Sequence, residues 1–132
     1  MTFTNEPNHK LSGKYIAWLG GLIDNSKLSR VSITRDFRVL LTITSSNEKL
    51  VIQASRLLGT GGSKRIDSVY SSTLENSPAI YQTVLGRSVR FEYLLPRIYP
   101  YISDVEKKTQ IETAMEVINP GLSWKDQLKL VT

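Results

Sequence analysis

Trp18-Leu19-Gly20-Gly21-Leu22-Ile23-Asp24-Asn25-Ser26 is the stretch whose reading decides how the chain folds. It closes a run of helical spacing that begins at Lys10. Leu11, Tyr15, Trp18, Leu19 and Leu22 recur at three- and four-residue steps, and Ile16 and Ile23 widen the stripe. Ser12 is placed to cap the start, and Asn25-Ser26 to end the helix. Two adjacent glycines inside a helix cost roughly 1 kcal/mol each relative to alanine. A helix keeps such residues where another backbone comes close. That backbone belongs either to the domain's own sheet or to a second helix.

Downstream, residues 28–35 alternate. Val31 and Ile33 share one face; Arg30, Ser32 and Thr34 share the other. Asp36-Phe37 reads as a tight turn. Residues 38–44 alternate again, with Val39, Leu41 and Ile43 opposed to Arg38, Thr42 and Thr44, so the pair reads as an antiparallel hairpin. Ser46-Asn47-Glu48 opens a second helix with Leu50, Val51, Ala54, Leu57 and Leu58 inward, and Gly59 stops it before Gly61-Gly62. A third strand is predicted over 63–70, with Lys64 and Arg65 near its start. A polar loop follows over 71–78, and a fourth strand over 79–85. Ser88 begins a helix carrying Val89, Phe91, Leu94, Leu95 and Ile98, which Pro96 and Pro100 are expected to break or kink. Asp104 caps a further helix through Ile118, ended by Asn119-Pro120-Gly121. The spacing thus predicts a lead-in over 1–9, one domain over 10–118 and a tail over 119–132. With Leu122, Trp124 and Leu128, the tail is able to dock as a short helix. Hairpins alternating with helices predict an α+β fold: an antiparallel sheet, helices on one face, the other face polar and basic.

Composition excludes several chemistries. The chain has 132 residues and no cysteine, which removes disulfide scaffolds, zinc knuckles, iron–sulfur sites and thiol nucleophiles. His9 is the single histidine, so a multi-histidine metal site is excluded and a His-based triad is a poor candidate. No apolar run approaches the ~20 residues of a membrane span, so no membrane partner is expected. The start lacks the features of a signal or transit peptide. The formal charge is +5, and it is unevenly spread. Residues 1–100 hold 13 basic and 7 acidic side chains, whereas residues 101–132 hold 4 and 5. The excess lies in the part of the chain that contains the predicted strands, which points to an anionic partner.

The glycine-bearing stretch resembles the signature helix of the LAGLIDADG homing endonucleases. Leu19, Gly20, Gly21, Leu22, Ile23 and Asp24 stand where that motif has Leu-Ala-Gly-Leu-Ile-Asp. Leu57-Leu58-Gly59 resembles the end of the family's second helix. Residues 95–102, followed by a Lys-Lys helix, resemble its C-terminal part. The resemblance spans about residues 10–118. It implies the αββαββα domain with a curved antiparallel sheet laid in the major groove of DNA, which admits a β-ribbon. Arg30, Ser32, Thr34, Arg38, Thr42 and Thr44 would then face nucleic acid, joined by Lys64 or Arg65, Asp67, Tyr81 and Thr83. It also implies that Trp18, Gly20 and Gly21 meet a second motif helix, from an identical chain or another protein.

The same resemblance implies a lost activity. The family's catalytic carboxylate lies two positions beyond Asp24, and that position is Ser26. A neutral hydroxyl is a poor magnesium ligand. Lys27 stands at the motif's final glycine. The polar amide and the basic residue that support the family's metal site fall at Ser45 and Ser103. The sequence therefore predicts a non-catalytic RNA- or DNA-binding protein with no cofactor. The expected setting is a ribonucleoprotein such as an organellar ribosome, in a mitochondrion or plastid, because the family spreads in organellar genomes. A lead-in ordered from Met1 onward would suit burial in such an assembly. Two other readings stand beside it. One is a Mg-dependent homodimeric endonuclease using Asp24, or Asp24, Asp36 and Asp67 as a new site. The other is a protein-interaction module using the Gly20-Gly21 helix without nucleic acid.

Overall fold

Helix α1 (Gly13–Asn25) buries Ile16, Leu19, Gly20 and Ile23. The stripe expected to lead inward is therefore displaced by one residue. Tyr15 is exposed, and Trp18 and Leu22 are half-buried. Ser12 holds the N-cap position with extended backbone, but its side chain makes no capping bond; its carbonyl accepts from the Tyr15 and Ile16 amides. The computed structural model describes residues 10–66 and 79–131. The lead-in 1–9, whose order bears on the expected assembly, lies outside the described residues. So do Asp67, the second half of the predicted third strand, and the loop 71–78.

Strand β1 (Arg30–Ile33) and strand β2 (Val39–Ser45) form the expected hairpin. Helix α2 (Glu48–Leu58) starts at Asn47, whose side chain accepts from the Lys49 amide, and ends at Gly59 in the left-handed region at φ 75°. Short β3 (Lys64–Arg65) and β4 (Tyr81–Gly86) complete the sheet. Its strand order is β1-β2-β4-β3, and every neighbouring pair is antiparallel.

Helix α3 (Val89–Ile98) runs through Pro96, contrary to the expected break. The Ser88 hydroxyl caps it by accepting from the Phe91 amide, and buried Pro96 lies in its last turn. A 3₁₀ turn (Tyr99–Tyr101) carries Pro100. Helix α4 (Val105–Ile118) begins at Asp104, whose carboxylate accepts from the Lys107 amide at 2.9 Å. Helix α5 (Trp124–Lys129) docks the tail: Trp124 and Leu128 pack on the core.

Phe91, Leu94, Leu95 and Ile98 of α3 and Ile111, Ala114 and Met115 of α4 meet Leu41 and Ile43 of β2 in one core. Each large apolar side chain so buried contributes about 1.5–3 kcal/mol. The helices cover the odd-numbered face of β1 and β2 and leave the even-numbered face outward.

Candidate nucleic-acid interface

Pairing fixes which strand residues stand together outside. Arg30, Thr42 and Val84 form one row across β1, β2 and β4. Ser32, Leu40 and Gly86 form a second. Thr44, Gln82 and Lys64 form a third across β2, β4 and β3. Arg30 and Lys64 are exposed, and Ser32, Thr42 and Gln82 are half-buried. Thr34 and Arg38 close the hairpin beside these rows, where the Thr34 amide donates to the Arg38 carbonyl at 2.8 Å.

Three expected contacts are displaced. Tyr81 and Thr83 pair with Ser45 and Ile43 and therefore face the helices. Thr83 is buried, its hydroxyl bonded to that of Thr60 beyond α2. Gln82 and Val84 take the outward places instead. Arg65 pairs with Tyr81 and shares its side of the sheet, which leaves Lys64 as the outward cation of β3. Thr44 keeps the predicted face but is buried.

The end of α1 explains that burial. β1 stops short of Thr44, so the β1-side amide and carbonyl of this residue need other partners. The Ser29 hydroxyl accepts from the Thr44 amide at 2.9 Å, and the Ser26 hydroxyl donates to the Thr44 carbonyl. Ser26 thus completes the β2 ladder. An ionised carboxylate in its place has no proton to donate there.

Asp24 is equally engaged. Its Oδ1 accepts from the amides of Ser103 at 2.8 Å and Asp104 at 2.9 Å, tying α1 to the start of α4. These bonds hold its carboxyl below the ordinary range, the Asp104 amide contributing most; the Ser103 amide and the Lys107 charge act in the same direction, and burial opposes them. Ser103 is thereby a backbone donor. The Lys107 ammonium reaches the same helix end from α4 and donates to the carbonyls of Ile23 (2.5 Å), Asp24 (3.4 Å) and Ser26. Those are C-terminal carbonyls of α1 with no partner inside the helix, and a cation suits the negative end of its dipole. Burial pulls the Lys107 pKa down, yet three carbonyl acceptors around one nitrogen call for the charged, three-proton form.

The two glycines part company. A Cβ on Gly20 would lie 2.6 Å from Tyr101 Cβ and 3.3 Å from the Ile98 carbonyl, so Gly20 admits its own chain's α3 end. A Cβ on Gly21 would meet nothing within 4 Å. Gly21 shares the outer stripe of α1 with Trp18 and Leu22.

Sheet and helices together have the fold of the LAGLIDADG homing endonucleases. One solved structure similar to this chain is the homing endonuclease I-CvuI in complex with its target in the presence of calcium. It has a TM-score of 0.52 and 16% identity, over 91% of this chain and 83% of that one. A second is I-CvuI with the I-CreI target in the presence of magnesium, the DNA not cleaved. Its TM-score is 0.54 at 17% identity, over 90% and 82% of the two chains. No protein-family model matches the sequence, and no curated protein matches it significantly.

The divalent metal that such a fold implies does not suit the residues at the end of α1. Oδ1 of Asp24 already accepts from two amides, the Ser26 hydroxyl is engaged by a carbonyl, and an ammonium sits among the helix carbonyls. The adjoining groove, about 440 Å³, is walled by Leu22, Leu28, Leu50 and Ile80 with Lys27 beside them, and no carboxylate among the described residues lines it. Among the described residues no three acidic or histidine side chains cluster, and Asp67, the third member of the alternative site with Asp24 and Asp36, lies outside them.

Proposed function

We propose that this chain is a nucleic-acid-binding protein that keeps a homing-endonuclease scaffold without strand cleavage. The observation that carries the proposal is the bonding at the end of α1. Ser26 serves the β2 ladder, Asp24 serves the start of α4, and Lys107 holds the place where a metal ion would need acidic ligands. The outward sheet face supplies the binding chemistry. Arg30 and Lys64 suit phosphates or guanine edges, Gln82 suits adenine, and Ser32 and Thr42 suit either. The stripe of Trp18, Gly21 and Leu22 suits a second motif helix, from a copy of this chain or from another protein. A structural place in an organellar ribonucleoprotein is the setting proposed; it rests on the basic sheet and the dismantled metal site.

Incubation with Mg²⁺ or Mn²⁺ and a pool of pseudo-palindromic duplexes and structured RNAs tests this reading. The expected result is binding without cutting. Specific double-strand cuts that Asp24→Asn abolishes would overturn it.

A further inference from the structure

The β1–β2 hairpin carries an aromatic residue in an unfavourable place. The Phe37 amide donates to the Thr34 carbonyl at 3.0 Å, and the Thr34 amide donates back to the Arg38 carbonyl at 2.8 Å. That is a three-residue loop built on a type I turn, in which the last residue takes the left-handed conformation. Glycine or asparagine suits that position; a bulky side chain there is an outlier. Phe37 adopts it at φ 61°, alone among the described non-glycine residues. Its ring gains nothing from the fold, because the residue is 75% exposed. The loop is nevertheless firmly made. Asp36 accepts from the Thr34 hydroxyl and pairs with Arg38 Nε at 3.1 Å, while Arg38 donates its amide to Thr34 Oγ1 at 3.1 Å. A hydrogen-bonded turn thus presents an exposed aromatic ring on a tip that also carries Arg35 and Arg38, at the end of the outward sheet face. Asp36 offsets one of those charges, leaving the tip net positive.

We infer that Phe37 stacks on an unpaired nucleobase, with Arg35 and Arg38 taking the flanking phosphates. This rests on the nucleic-acid reading above and narrows it to a strand with a bulged or looped-out base. A base in a continuous duplex offers its face only if its stack opens, whereas an unpaired one offers it freely. Strain at an exposed site points to a partner that uses it.

The test compares binding to an RNA duplex with one bulged adenosine against the same duplex fully paired, each repeated as DNA. The wild-type protein is expected to prefer the bulged probe about tenfold, in line with base–aromatic stacking. Phe37→Gly is expected to erase that preference and leave paired-duplex binding unchanged. Phe37→Trp is expected to keep the preference. Because glycine accepts the left-handed backbone, Phe37→Gly is expected to melt no lower than wild type, which separates lost stacking from lost folding. A preference seen only with RNA or only with DNA identifies the strand. Equal wild-type binding of both probes, a preference that survives Phe37→Gly, or an equal loss on both probes would each overturn the inference and leave the wider reading standing. Failure of the wild-type protein to bind any probe at low salt would overturn both.

Discussion

Asp24 links a single carboxylate to the acid stability of the whole chain. Its folded pKa lies below its ordinary value of 3.8, chiefly through the Asp104 amide. A lowered carboxyl pKa contributes stability that is fully present above the unfolded value and is lost as pH falls through the folded one. Asp24→Asn keeps the shape and removes the charge. The variant is expected to be less stable than wild type by roughly 1 kcal/mol at neutral pH. The gap should narrow as pH falls past the ordinary value of 3.8 and close below the lower folded pKa, where wild type also loses the charge. Urea unfolding at several pH values measures this; a gap independent of pH would contradict the assignment. The sequence marks Asp24 and Ser26 through their motif, but not what they bond to, because their partners are backbone groups on distant elements. Lys107 does not stand out in the sequence, because a lysine on a helix is ordinarily solvated. A signal was present: Lys107, Ile111, Ala114 and Met115 fall at helical steps on one buried stripe.

At the scale of elements, the two glycines of α1 make opposite demands. Gly20→Ala pushes a methyl group into Tyr101 and is expected to destabilise the chain by about 1–3 kcal/mol, despite alanine's better helix propensity. Gly21→Ala enters open space and is expected to stabilise the isolated chain by up to about 1 kcal/mol. Thermal melts of the two variants compare them directly. If a second helix packs at Gly21, sedimentation should show weaker association for Gly21→Ala alone. Sequence spacing placed the helices and the first hairpin but could not assign the faces of β4. Tyr81-Gln82-Thr83-Val84-Leu85 alternates without a clear polar side. Thr83 turns inward, where its hydroxyl bonds that of Thr60, and Val84 turns outward opposite Thr42. The proline in α3 misled for a similar reason: its place in the last turn of a packed helix is set by tertiary contacts, not by local preference.

For the molecule as a whole, the net charge is +5, and Arg30 and Lys64 stand at different rows of the outward face proposed to bind nucleic acid. Binding to nucleic acid is expected to weaken steeply with salt. Arg30→Gln and Lys64→Gln should each lower the slope of log K against log salt by about 1. Anisotropy titrations at several salt concentrations read this out, and unchanged slopes would place the contact surface elsewhere. The architecture also orders events in time. The motif helix is synthesised before the groups that close its end, which come from residues 103–107, separated from their partners by 79 to 84 positions. Most of the domain must therefore leave the ribosome before Lys107 reaches the Ile23 and Asp24 carbonyls; before that only the Ser26 carbonyl has a local partner, the Ser29 amide. Contacts so distant in sequence slow folding. The element that signals the fold to a reader of the sequence is thus among the last to be secured as the chain is made.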